Sequence, residues 1–252
     1  MNTLRYLRRI GLNSLRPPSP EALAELQQQH LLTIPFENLD ILRNIPITLD
    51  TAKLYDKIVG DRRGGFCYEL NGLFAALLSE LGYPVDMVSA RVFNDKGDAG
   101  PEFDHMALLV TLESERYLVD VGFGDSARGP IRMPAGEAED ISGRYRVRPL
   151  KDVPDGFALE RADGNDWAPR YQFTDLAREL DEFSEMCEYH QSSPDSHFTQ
   201  RNLITIATSS GRITLTDKKL TETEAGLKME RPVASVDEFT QLLAERFGIK
   251  LA

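Results

Sequence analysis

Two residues of this chain are of a type that their surroundings do not ask for: Cys67 and Asp120. Cys67 follows Arg62-Arg63-Gly64-Gly65-Phe66 and stands at the head of the strongest amphipathic stretch in the sequence. A thiol at a helix N-terminus feels unpaired backbone N–H groups and the positive end of the helix dipole, and both favour thiolate. Arg62 and Arg63 push the same way if they fold toward the sulfur, and Gly64-Gly65 permits close backbone approach. The competing account is a small buried hydrophobe, since free Cys is among the most buried residue types. Cys187, within Met186-Cys187-Glu188-Tyr189, has no such setting and reads as core packing.

A nucleophilic sulfur needs a base, and the base needs an orienting group. Four histidines are available, His30, His105, His190 and His197. His105 opens an apolar run in which Met106, Leu108, Val110 and Leu112 form one face. The next apolar run contains Asp120 between Val119 and Val121, a costly place for a carboxylate unless it is paired. If the two runs form a hairpin whose turn is centred within residues 113–116, His105 opposes Gly124 and shares a face with Asp120. That register leaves the pair four residues apart, on the order of 13 Å along the strand. Direct opposition needs a turn centred between Leu112 and Glu113, or a bulge. Parity settles the face and leaves the register open.

The elements that must position these groups change character along the chain. Residues 1–83 read mostly as helix. Pro17-Pro18-Ser19-Pro20 breaks the chain, and Ser19 or Pro20 opens a helix through 21–30. Residues 34–38 interrupt it. Leu70, Leu73, Phe74, Leu77, Leu78 and Leu81 make a full apolar stripe, so the spacing predicts a helix over 68–81, closed by Gly82 and Pro84. Strands are expected at 85–93, 103–112 and 117–122, with shorter ones at 145–148, 157–161 and 170–173. A hairpin joins 203–207 to 212–215, and an amphipathic helix spans 237–247. Helices followed by strands argue for an α+β fold and against an alternating doubly wound sheet. No GxGxxG or Walker-type loop is present, so nucleotide binding has no motif to rest on.

The composition narrows the functional classes further. The chain has 252 residues, a hydrophobic fraction of 41% and a formal charge of -11. Such a mixture folds as a globular protein, and its acidity opposes non-specific binding to nucleic acid or an anionic membrane. No apolar run approaches the length of a membrane helix, and the basic N-terminus lacks a signal-like apolar core. Two cysteines are too few for a disulfide framework or a cysteine-only zinc site, so the cytosol is the default compartment.

RGGFCYELNGLF (63–74), DHMALLV (104–110) and YLVDVGFGD (117–125), in that order, closely resemble the arylamine N-acetyltransferases, and IPFENLD (34–40) supports the match. The resemblance implies a cysteine-protease-like (transglutaminase-like) α+β core in three parts. These are a helical domain over 1–83 carrying the nucleophile, a β-barrel over 84–189 carrying His and Asp, and an α/β lid over 190–252. Matched motif by motif, Cys67 is the nucleophile, His105 the base and Asp120 the orienting acid, which favours a short-offset hairpin. The family chemistry moves an acetyl group from acetyl-CoA, a co-substrate, to an arylamine or arylhydrazine by a ping-pong route, without a metal or bound cofactor. Phe36 and Phe66 become candidates for the acceptor pocket, Gly124 for the approach to the CoA phosphates and His197 for a CoA contact. Glu37 and Arg63 are expected to brace one another, and the Arg144/Arg146/Arg148 alternation reads as one solvated strand face. Two rivals remain on the residues alone: a hydrolase using the same triad on thioesters or peptides, and a non-catalytic module that keeps the fold.

Overall fold

The computed structural model describes residues 1–251. Caps explain where its first helices begin. The Asn2 side chain accepts from the Arg5 N–H ahead of α1 (Thr3–Arg9), and Ser19 accepts from Ala22 ahead of α2 (Pro20–Thr33), with proline in its first turn. Chain then passes through β1 (Phe36–Glu37), α3 (Leu39–Leu42), α4 (Thr51–Tyr55) and a π-helical turn at Asp56–Gly60. The long helix α5 (Cys67–Glu80) starts with the cysteine itself. Its apolar stripe is buried almost completely, because α5 forms the centre of the first hydrophobic core.

Eight antiparallel strands follow: β2 (Val85–Val92), β3 (His105–Leu112), β4 (Glu115–Val119), β5 (Ile131–Arg132), β6 (Glu137–Asp140), β7 (Gly143–Pro149), β8 (Gly156–Asp163) and β9 (Asp166–Arg178). They make one sheet in the order β5-β4-β3-β2-β9-β8-β7-β6, whose end strands are consecutive in the chain, so the sheet curls into a nearly closed barrel. A second core fills it, built on Val88, Ala90, Leu109, Leu118, Tyr145 and Tyr171 among others. Strand β3 is apolar on both faces for a reason: Ala107 and Leu109 point into the barrel, whereas Met106, Leu108 and Val110 pack against α5.

After a turn at Leu180–Phe183, α6 (Ser184–Ser192) returns to the first core, where Cys187 is buried. A five-stranded sheet then forms in the order β1-β10-β11-β12-β13 from β10 (Leu203–Thr208), β11 (Gly211–Thr216), β12 (Lys219–Glu224) and β13 (Leu227–Pro232). Helix α7 (Val236–Phe247), capped by Ser235 and ended by Gly248 at φ +67°, supplies Leu242, Leu243 and Phe247 to a third core with this sheet. Phe36 pairs with Thr205, so a strand from the first third of the chain is bound to the last.

The β3–β4 hairpin takes neither register drawn above. Leu112 pairs with Glu115 and Leu108 with Val119, so the turn is the two residues Glu113 and Ser114, both at positive φ. Glu115 and Arg116 are strand residues. Strand β4 stops at Val119, and Asp120 is the first residue beyond it, two positions from direct opposition to His105.

Candidate active site

The Asp120 carboxylate is held by four hydrogen bonds. Its Oδ2 accepts from His105 Nε2 at 2.8 Å and from the Tyr171 hydroxyl at 3.0 Å. Its Oδ1 accepts from Asn71 Nδ2 and from the Gly122 N–H, each at 2.9 Å. Burial is the largest influence on the carboxyl and opposes its ionisation. The neighbouring imidazole and the bonds from His105, Asn71 and Gly122 together outweigh it and hold the group below the usual aspartate range. The carboxylate is therefore charged in the fold and tilts the His105 ring at a fixed angle. Asn71 is itself pinned, since it also donates to Met106 O at 2.6 Å and accepts from the Val121 N–H at 2.9 Å.

Cys67 is the first residue of α5 and only 4% exposed. The Met106 N–H points at its sulfur, so the start of α5 abuts the start of β3, one residue from His105. Gly122 closes the same junction. A Cβ there would lie 2.8 Å from Cys67 Cα and 2.6 Å from Asn71 Nδ2, so only glycine fits. Burial pushes the Cys67 thiol up, the Met106 N–H opposes this, and Asp104 and Asp120 add to the rise.

The two arginines do not lower it. Arg62 is exposed to solvent, and Arg63 turns away into a buried ion network. Arg63 donates to Glu37 Oε1 at 2.9 Å and to Asp40 Oδ1 at 2.8 Å. Lys57 joins Asp40 at 2.8 Å to Glu69 at 2.7 Å. Glu69 Oε2 accepts from the Phe66 N–H at 3.1 Å, which secures the first turn of α5. The Glu37–Arg63 pair is thus a brace beneath the thiol, and the five charges hold the segment that delivers it.

Cys67 and His105 line one cavity of about 550 Å³ between the barrel rim and the five-stranded sheet. Phe36, Gly124 and His197 also line it, with Phe123, Phe198 and Arg170. Phe66 does not. Its ring is 0% exposed and packs edge-on against Tyr68 and Phe198, so its part is to support the wall from behind. Gly124 has φ +85° and lies against Phe36 and Thr205, with its carbonyl accepting from Arg212. His197 packs against Phe198 with ring centroids 3.9 Å apart, and burial first, with His190 beside it, lowers its pKa. The Arg146 and Arg148 side chains reach Glu160, at 2.6 Å each, on the outside of the barrel.

Asn71, Tyr171, Phe123 and Phe198 are site residues that the sequence reading did not single out. Asn71 carried a signal, a polar residue one turn after Cys67 on the same helix face. Tyr171 comes from β9, and its approach to Asp120 follows only from the barrel pairing of β2 with β9. Among the described residues, no cluster of three or more His, Cys, Asp or Glu side chains is arranged to hold a metal ion, and no helix is long and apolar enough to cross a membrane.

Comparison with known proteins gives the family and the fold. A family model described as N-acetyltransferase matches residues 20–252. The arylamine N-acetyltransferase of Mycolicibacterium smegmatis is 34% identical over 252 residues, covering 98% of this chain and 91% of that protein. The arylamine N-acetyltransferase / N-hydroxyarylamine O-acetyltransferase of Salmonella typhimurium is 34% identical, covering 97% of this chain and 87% of its own. Among solved structures, an arylamine N-acetyltransferase from Bacillus cereus superposes with a TM-score of 0.92 at 28% identity, each chain covered in full. That enzyme is described as having a Cys-His-Glu catalytic triad, whereas the acid beside His105 here is an aspartate. Fold and matches together define an N-acetyltransferase. More narrowly, this chain belongs to the arylamine N-acetyltransferase family.

Proposed function

We propose that the protein moves an acetyl group from acetyl-CoA to the nitrogen of an arylamine or arylhydrazine, through an acetyl-thioester on Cys67 and a ping-pong cycle. The observation that carries this reading is the fully bonded Asp120 carboxylate, which fixes the His105 imidazole at the cavity that Cys67 also lines. Because burial favours the neutral thiol, the sulfur becomes nucleophilic as it loses its proton to His105, and Asp120 stabilises the imidazolium formed. Thiolate attack on the acetyl carbonyl forms the Cys67 S–C bond, the C–S bond to CoA breaks, and CoA leaves with the proton from His105. The amine nitrogen then attacks the Cys67 thioester and passes a proton to His105. Collapse restores the Cys67 thiol and releases the N-acetyl product.

The same reading assigns the remaining expectations. Phe36 and Phe123 take the aromatic ring of the acceptor, Gly124 and His197 face the donor, and the three segments 1–83, 84–189 and 190–252 act as helical domain, barrel and lid around the cleft. The test is acceptor dependence. Mixed with acetyl-CoA, the protein should release no more than about one CoA per active site, and added arylamine or hydrazine should make release continuous. Cys67→Ser should abolish both phases and Cys187→Ser neither. Continuous CoA release without any amine would assign the site to thioester hydrolysis.

A further inference from the structure

The five-stranded sheet ends in two unlike edges. The outer side of β1 is covered, since the Glu37 N–H donates to the Gly65 carbonyl at 2.9 Å. At the other end β13 pairs with β12 alone among the described residues, and all six of its residues are exposed. Its free backbone can be assigned residue by residue. The Val233 N–H donates to Lys218 O, and N–H groups alternate in direction along a strand. Those of Leu227, Met229 and Arg231 therefore also point to β12, while Lys228 and Glu230 turn N–H and C=O outward. Pro232, next in the outward series, has no N–H to offer. The side chains divide in the same way. Leu227, Met229 and Arg231 stand on the face that carries α7, where Arg231 meets Glu238, and Lys228 and Glu230 stand on the other. Leu227 is 74% exposed and Met229 56%. An unpaired strand edge of this kind is a template for another strand.

A second copy fits this edge because the edge complements itself in a single register. A two-fold axis through it makes the pairing antiparallel, and the outward residues Lys228 and Glu230 must supply the bonded pairs. An axis at Lys228 sets lysine against lysine and draws in Gly226, which lies in the turn at φ +81°. An axis at Glu230 sets acid against acid and leaves the Lys228 carbonyl facing Pro232, which cannot donate. An axis at Met229 sets Lys228 opposite the partner's Glu230, and Glu230 opposite the partner's Lys228. Every outward N–H and C=O of these two residues is then used, in both copies. On the α7 face Met229 meets its own counterpart and Leu227 meets the aliphatic stem of the partner's Arg231. We propose that β13 pairs with β13 of a second copy about Met229, joining the two five-stranded sheets into one. Pro232 ends the ladder, and the pairing consumes both open edges, so assembly stops at the dimer.

The ladder is short, which places the interface at the small, concentration-dependent end of the range. The test is sedimentation velocity of the full chain at low salt, over about 1 to 100 μM. Wild type should move from monomer toward dimer across that range. Lys228→Pro deletes an outward N–H and no bond to β12, and it should raise the dimer Kd about 10- to 100-fold. Lys228→Glu and Glu230→Lys should each raise it about tenfold or more, since like charges then stand opposite. The double variant, and equally a one-to-one mixture of the two single variants, should return it to the wild-type value. Circular dichroism checks the fold of each variant. A wild-type chain that stays monomeric throughout overturns the proposal. A dimer unaffected by Lys228→Pro overturns it in favour of another surface. Weakening by Lys228→Pro with no restoration in the mixture overturns the Met229-centred register and the proposal with it.

Discussion

Replacing Asp120 by asparagine keeps size and shape and changes only which atoms accept. The amide oxygen will settle where Oδ1 stands, because two donors there cannot yield. The Gly122 N–H is backbone, and Asn71 is fixed at both ends by Met106 and Val121. Turning the amide over would set its N–H₂ against both, leaving two buried donors unpaired at about 1–3 kcal/mol each. The amide nitrogen therefore faces His105 Nε2 and Tyr171, and the tyrosine hydroxyl can rotate to accept. His105 can adapt only by giving up its Nε2 hydrogen, which moves to Nδ1 and removes the lone pair needed for the Cys67 proton. A wrong tautomer with intact geometry costs about 10⁴ in rate in the serine-protease triad, and Asp120→Asn should cost a similar factor here. The assay is CoA formed in the first turnover with acetyl-CoA, measured by rapid quench, with thermal unfolding run beside it to confirm the fold. A variant that unfolds like wild type and acylates within about tenfold of its rate would refute the reasoning.

Three other perturbations read the support of the site. Gly122→Ala places a Cβ 2.8 Å from Cys67 Cα, so α5 must shift against β3; kcat/KM should drop about 100-fold with circular dichroism unchanged, and a near-normal rate would contradict the fit. Arg63→Ala leaves Glu37, 1% exposed, without its cation, and urea unfolding should show a loss of about 3–5 kcal/mol; a loss below about 1 kcal/mol would mean the network contributes little. His30 is buried and its pKa is pushed down to about 3, by burial first and by the Arg9 charge second. The unfolded chain takes up this proton near pH 6.5, so its stabilising effect is complete above that pH and falls by about 1.4 kcal/mol per unit as pH drops toward about 3. His30→Gln should flatten that acid limb in urea titrations between about pH 7 and pH 5, and an unchanged slope would place the proton uptake elsewhere.

The chemistry of the site was legible where a residue broke its local pattern. An acid between two valines and a cysteine after two glycines at a helix start are visible without any fold, as is the stripe that defines α5. What lay hidden was set by contacts distant in sequence. Arg63 looks like a partner for Cys67 because only two glycines and a phenylalanine separate them, yet Glu37 and Asp40 offer it two charged acceptors. Tyr171 and Arg170 reach the site because β9 pairs with β2, a register that neither segment encodes locally. Glu113-Ser114 turns the hairpin without the glycine or asparagine that usually marks a two-residue loop, so Glu115 and Arg116 look like turn residues. Strands β12 and β13 carry Lys, Glu and Thr where a buried strand shows apolar alternation, because β13 is exposed throughout and β12 buries only Leu220. Phe66 sits one residue before α5, and whether it faces cavity or core depends on the turn made by Gly64 and Gly65.

The most direct test of the central claim is the mass of the intact protein and of its peptides after brief mixing with acetyl-CoA and no amine. The account predicts one acetyl group, on the peptide containing Cys67, which disappears when an arylamine is added and reappears as N-acetyl product. An unmodified Cys67 under conditions where CoA is released, or an acetyl group carried on another residue, would contradict it.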